Sequence, residues 1–249
     1  MMNVSSPATR WLRRFRPVDF PVERIICFPH AGGAASYFRS WPAWLPEKCE
    51  LLAVQYPGRQ DRVQEPCIRD MKEMVETLVP VLAPLRDRPL VFFGHSMGAA
   101  IAYETAVDLE RTLDCSVRLL AVSSREAPDS IVPRDLHRQS DEALVDDIKK
   151  LGGFEPEIFD VPELRALVLP TVRADYQLIE TYQPSLHKLR APIAAYAGNL
   201  EAELLPDGLE AWAHCTQAGF WSKLFGGDHF YLQKNEESLV QDLVRRTRE

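Results

Sequence analysis

At 249 residues the chain is long enough to bury one sizeable core, and 46% apolar with 26% charged residues is an ordinary globular balance. A net charge of -7 argues against general nucleic-acid binding, and no apolar run approaches the roughly 20 residues that a membrane helix needs. Cys27, Cys49, Cys67, Cys115 and Cys215 are scattered, odd in number and form no C-x-x-C pair, so they read as thiols in a reducing compartment. With no apolar stretch after the Arg10 to Arg16 cluster to make a signal peptide, the expected location is the cytoplasm.

Residues 1–20 read as a loosely ordered lead-in that docks through Trp11, Leu12 and Phe15, with Arg10, Arg13, Arg14 and Arg16 as a solvated basic tail. Glu23 to Phe28 is a strand that ends in the glycine-rich turn Pro29-His30-Ala31-Gly32-Gly33, with a helix expected over 34–41. A second strand, Glu50 to Tyr56, stops at Pro57-Gly58-Arg59. Met71, Met74, Val75, Leu78, Val79 and Leu82 have helical spacing within 71–85, interrupted by Pro80. Leu90 to Phe93 is a short apolar strand, and helix formers follow Gly98. Between them, Gly94-His95-Ser96-Met97-Gly98 fits G-x-S-x-G, the elbow that lifts a serine hydroxyl above a sheet edge on a sharp strand-to-helix turn. A further strand is expected over 116–123.

Residues 126 to about 186 depart from this alternation. An amphipathic helix, 141–151, stops at Gly152-Gly153, and a second, 161–182, is expected to break near Pro170. So much helix between two sheet strands exceeds what a crossover needs, and an inserted lid is the expectation. Its apolar residues (Leu144, Ile148, Leu151, Phe154, Ile158, Phe159, Leu167) are candidates to line an acyl pocket, although most should pack the lid onto the body. Strands over 191–198 and 216–225, a loop over 226–230 and a helix over 235–246 complete the chain. Strands alternating with helices favour a mostly parallel sheet flanked by helices, and the absence of any linker suggests one domain over 1–249.

A serine hydroxyl needs a base to remove its proton, and the base needs a carboxylate to orient it. In the α/β-hydrolase fold these partners follow in the order serine, acid, histidine, each after a later strand. Among six histidines, His30 lies upstream of Ser96 and His95 inside the elbow, His137 and His187 fall in the lid or its exit, and His214 precedes the last strand. Only His229 occupies a glycine-flanked loop after the last strand, where the base belongs. Glu201, Glu203 and Asp207 follow the strand ending at Gly198 and compete for the acid, whereas Asp228 is too close in sequence to face its neighbour's ring. Backbone N–H groups of Met97 and Ala31 are the candidate oxyanion donors. No H-E-x-x-H, G-x-x-x-x-G-K or G-x-G-x-x-G is present, so no metal, nucleotide or other cofactor is expected.

Together these residues resemble the type II thioesterases, the stand-alone thioesterases that accompany polyketide and nonribosomal peptide synthetases. The marks run over nearly the whole chain: Trp11-Leu-Arg-Arg-Phe15, Cys27-Phe-Pro-His-Ala-Gly-Gly33, Tyr56-Pro-Gly-Arg59, Phe93-Gly-His-Ser-Met-Gly-Ala99, Leu151-Gly-Gly153, Val172-Arg-Ala-Asp-Tyr176 and Gly226-Gly-Asp-His-Phe230. The resemblance implies hydrolysis of an aberrant acyl or aminoacyl group from the phosphopantetheine arm of a carrier protein, with Ser96 and His229 as the reacting pair and a monomer as the default state. Medium-chain fatty acyl thioesterases share the pattern; an esterase or acyltransferase with the same triad and a non-catalytic carrier-binding module are further readings. One departure stands out. The family's Gly-Asp-x-Asp segment is here Gly198-Asn199-Leu200-Glu201, and in that register Glu201 takes the acid's place.

Overall fold

Near-continuous apolar runs such as Ile25 to Phe28 and Leu90 to Phe93 form strands covered on both faces, the signature of a parallel sheet between helical layers. The computed structural model describes residues 7–152, 156–201, 204 and 207–249. Its seven strands are β1 (Leu12–Arg14), β2 (Glu23–Phe28), β3 (Cys49–Val54), β4 (Leu90–His95), β5 (Leu119–Ser123), β6 (Ile193–Gly198) and β7 (Phe220–Phe225), in the spatial order β1-β3-β2-β4-β5-β6-β7. All neighbours pair in parallel except β1 with β3. One face of the sheet carries Ile26, Phe28 and Phe92 against α2 (Met71–Leu82) and α3 (Met97–Leu113). The alternate residues Ile25, Val91 and Phe93 pack with Trp41, Leu239 and Leu243, the last two on α6 (Glu236–Arg246).

The lead-in differs from expectation. After α1 (Pro7–Trp11), Leu12–Arg14 pairs antiparallel with β3, Leu12 opposite Val54, so the segment closes a sheet edge that would otherwise present unpaired backbone groups. Trp11 and Leu12 are buried as their apolar character requires, and Phe15 packs on the second core face. The arginines are not a solvated tail. Arg10 lies 2.7 Å from Glu65, Arg14 lies 2.9 Å from Glu50, Arg13 pairs with Asp61, and Arg16 donates to the Pro46 carbonyl at 3.0 Å.

Other differences are local. Residues 34–41 do not form one helix; the stretch carries the 3-10 turn Ala35–Phe38 and the start of a second, Trp41–Trp44. The strands expected over 116–123 and 216–225 begin later, at Leu119 and Phe220. Between β5 and β6 lie α4 (Asp141–Leu151), capped by the Ser140 hydroxyl, and α5 (Pro162–Glu180). Pro170 does not break α5. It removes one backbone donor, but Leu169, Val172 and Tyr176 on the same stretch are held in a third apolar cluster with Leu144, Val145 and Ile148 of α4.

Candidate active site

Where β2 and β4 lie side by side, the chain departs in opposite directions, to β3 on one side and β5 on the other; such a switch point opens a crevice at the carboxyl ends of the strands. The His30–Gly33 turn leaves β2 there, and Ser96 leaves β4. Ser96 has φ 55° and ψ -119°, a conformation that costs a non-glycine residue energy and is held by its surroundings. Its N–H donates to the Ser123 carbonyl at 2.8 Å, and its own carbonyl accepts from Ala99 at 2.9 Å. Two glycines make the turn sterically feasible. A Cβ at Gly94 would sit 2.2 Å from the Gly98 carbonyl oxygen, and one at Gly98 would sit 2.0 Å from that of Phe28.

A cavity of about 420 Å³ is lined by Ser96, Met97, Ala31, His229 and Glu201 among others, so the structure brings the candidate nucleophile, base and oxyanion donors together with one of the three candidate acids. His229 Nδ1 lies 2.5 Å from Glu201 Oε1, and both side chains are buried. Asp207 is exposed and away from that cavity, and Glu203 lies outside the described residues. Asp228 accepts the Phe230 N–H at 3.0 Å and does not face the His229 ring. Asn199 braces the site from behind. Its Oδ1 accepts the Gly227 N–H at 3.0 Å, tying the loop that carries Glu201 to the loop that carries His229. Ser124 adds a second tie, donating from its hydroxyl to the His229 carbonyl at 3.2 Å.

Met97 stands at the first position of α3, where a helix leaves its N–H groups without intrahelical partners. In the facing turn, Gly33 N–H donates to the His30 carbonyl and Gly32 N–H to Asp175. The Ala31 and Met97 N–H groups have no hydrogen-bond partner among the described residues, which leaves two donors on residues that line the same cavity as Ser96.

The turn itself is clamped from α5. Asp175 accepts Gly32 N–H at 2.7 Å and both guanidinium nitrogens of Arg59, at 2.6 and 2.8 Å; Arg59 also donates to the Gly33 carbonyl at 3.1 Å. Thr171, one turn earlier, donates to the Gly58 carbonyl at 2.8 Å. The glycine turn, Pro-Gly-Arg and Arg-Ala-Asp-Tyr, which local reading keeps apart, are thus one buried network. The opposite charges of Arg59 and Asp175 were the available signal, but a sequence separation of 116 hides the pairing from any local pattern.

The remaining histidines sort by their contacts. His95 Nδ1 lies 3.0 Å from Ser123 Oγ, which lies 2.8 Å from the Tyr231 hydroxyl. His30, His95 and His229 pack together, with His95 5.7 Å from His30 and 5.0 Å from His229 between ring centroids. Burial pushes the His30 pKa down to about 3 and holds that of His95 well below the ordinary value, with the charge of His229 adding to both effects. His137 contacts Glu180, His187 approaches Glu110 and His214 approaches Asp129, all away from Ser96. Of the apolar residues expected at an acyl pocket, Ile148 and Leu151 line the cavity, together with Ile131, Val132, Val172 and Ile179. Leu144 and Phe159 are buried in the cluster between the helices with Ile158 packed beside them, Leu167 is exposed, and Phe154 lies outside the described residues. Among the described residues no group of His, Cys, Asp and Glu is placed to hold a metal ion, and no helix is long and apolar enough to cross a membrane.

The model of the family described as "Thioesterase domain" matches residues 23–247. The chain belongs to the thioesterase family. A probable cadicidin biosynthesis thioesterase from Streptomyces griseus is 35% identical over 96% of this chain, which spans 66% of that protein's length. Thioesterase PikA5 from Streptomyces venezuelae is 39% identical over 94% of this chain and 84% of its own length. The solved type II thioesterase BorB, from the borrelidin biosynthetic cluster, superposes with a TM-score of 0.87 at 38% identity, covering 95% of this chain and 97% of that one. The α/β-hydrolase fold and the type II thioesterase resemblance read from the motifs are borne out, and this family member is a thioester hydrolase.

Proposed function

We propose that this thioesterase removes acyl groups from the phosphopantetheine arm of a carrier protein and so clears blocked modules of a polyketide or nonribosomal peptide synthetase, the setting named for the structurally similar type II thioesterase YbtT of the yersiniabactin NRPS/PKS pathway. The observation that carries the chemistry is a single cavity containing Ser96, a buried His229–Glu201 hydrogen bond and two N–H groups without partners.

Glu201 accepts from Nδ1 of His229 and so leaves Nε2 to act as the base. Ser96 Oγ attacks the thioester carbonyl as His229 takes its proton, and Met97 and Ala31 N–H groups bind the resulting oxyanion. The tetrahedral species collapses, the C–S bond breaks, and His229 returns the proton to the departing thiolate. Water, deprotonated by His229, then attacks the acyl-serine, and its collapse releases the carboxylic acid and restores Ser96.

On this reading the chain acts as one domain over 1–249, with the helical insertion at about 126–186 serving as a lid over the acyl group, and works as a cytoplasmic monomer. The five free thiols suit a reducing compartment. Acyl groups loaded on carrier protein are the decisive substrates. Ser96→Ala should lower their hydrolysis by several orders of magnitude and abolish labelling by a fluorophosphonate. Wild-type turnover by Ser96→Ala would remove the assignment, and equal hydrolysis of matched oxygen esters would make the enzyme a general esterase.

A further inference from the structure

The cavity around Ser96 contains a cation that the hydrolytic steps do not use. Arg125 lies two residues beyond Ser123, whose carbonyl accepts the Ser96 N–H, so it leaves the sheet beside the elbow and lines the same cavity. Its side chain is only 17% exposed. Among the described residues its guanidinium makes no hydrogen bond: Nε is buried without a partner, and the carboxylate beside it, Glu126, stands off at 3.9 Å. Other buried arginines here are well satisfied. Arg59 grips Asp175 through both terminal nitrogens, and Arg62 grips Glu65 at 2.6 Å while donating to the Gln55 carbonyl at 2.7 Å.

A guanidinium removed from water without charge-assisted hydrogen bonds is costly, and burial holds the Arg125 pKa below the ordinary value. The backbone is anchored, since the Arg125 carbonyl accepts the Trp212 indole N–H at 2.8 Å. The same cavity is lined by the apolar side chains Ile131, Val132, Leu151 and Val172, together with the charged Glu126, Arg134, Asp147 and Glu180. The second guanidinium on this lining, Arg134, is engaged by Asp147, so an acyl group leaving Ser96 for this chamber meets apolar side chains and, in Arg125, a fork of donors with no hydrogen bond of its own among the described residues. Guanidinium offers five N–H donors and no acceptor, so its complement is an oxygen acceptor and not an ammonium.

We propose that Arg125 is a specificity subsite that reads an oxygen acceptor on the acyl group, such as a keto, hydroxyl or carboxylate oxygen, and so favours oxygenated acyl chains over plain alkyl chains. The proposal rests on the hydrolytic reading above and deepens it by naming a substrate class.

The test uses the full chain and carrier protein loaded with butyryl, 3-oxobutyryl, 3-hydroxybutyryl or malonyl groups, and compares kcat/KM for each oxygenated group with that for butyryl. Wild type should favour at least one oxygenated group, and Arg125→Met should lower that ratio about tenfold, the worth of one charge-assisted hydrogen bond. Arg125→Lys should restore part of it. The ratio is internal to each variant, so incomplete folding cancels. The oxygenated group whose ratio falls most identifies the acceptor. A ratio unchanged in Arg125→Met overturns the proposal, because a guanidinium that binds the pantetheine arm or merely supports the fold would affect all four substrates alike. Retained hydrolysis by Ser96→Ala is a separate outcome, which sinks the hydrolytic reading itself.

Discussion

A glutamate contacts His229 where the family's pattern has an aspartate, and the extra methylene is accommodated: Oε1 reaches Nδ1 at 2.5 Å, while Oε2 is buried without a hydrogen-bond partner among the described residues. Glu201→Gln keeps the shape but removes the charge and can present an N–H to the ring, which forces the wrong tautomer. The expected loss in kcat is on the order of 10²- to 10⁴-fold. Asp207→Asn, exposed and outside the cavity, should stay within about twofold of wild type, as surface substitutions usually do. Hydrolysis of acyl-pantetheine by both variants decides between them, and the reverse pattern would show that the acid was misassigned. Residue spacing alone left Glu201, Glu203 and Asp207 as candidates, and only the register of the family's Gly-Asp-x-Asp segment singled out Glu201. The bracing by Asn199 was not legible, since its bond to Gly227 joins loops 28 residues apart.

At the scale of elements, the site depends on how α5 meets the turn after β2. Local patterns located both: helical spacing marked α5, and glycines marked the turn. Two features escaped them. Pro170 signalled a break that tertiary packing overrides, and the Arg59–Asp175 pair joins elements far apart in sequence. The pair is almost wholly buried, with Asp175 1% and Arg59 7% exposed, so removing one partner strands the other charge. Asp175→Asn should cost about 3–5 kcal/mol of stability. Because Asp175 also holds Gly32, kcat should fall in the protein that remains folded, as the Ala31 N–H loses its aim. The double variant Arg59→Met/Asp175→Leu removes both charges and should be more stable than Asp175→Asn alone. Urea denaturation of the three proteins gives the stabilities, and single-turnover acylation of Ser96 gives the aim. If Asp175→Asn acylates at the wild-type rate once folded fraction is counted, the clamp is structural only.

For the molecule as a whole, the histidines gathered under the site make stability depend on pH. His30 and His95 are buried in contact with Tyr37, Phe230 and each other, and their protonated forms lose hydration while facing His229. In the unfolded chain both rings take up protons near the ordinary value of 6.5; in the folded chain His30 does so only near 3, and His95 is likewise held well below 6.5. Between those limits the unfolded state binds more protons, so stability is full above about 6.5 and falls as the pH drops. Each ring contributes a slope that rises toward ~1.4 kcal/mol per pH unit below its unfolded value, so the two together remove on the order of 3 kcal/mol between pH 6.5 and pH 5. That is a large share of the roughly 5–15 kcal/mol typical of a folded domain. Ordinary carboxylates stay ionised over this range and add little to the slope. Urea unfolding at several pH values from about 7.5 to 5 measures it, and His30→Phe, which keeps an aromatic ring against Tyr37 and Phe230, should reduce the slope by about half. A flat profile in wild type would mean that the folded protein admits protons to these rings, and that the cluster is open to water.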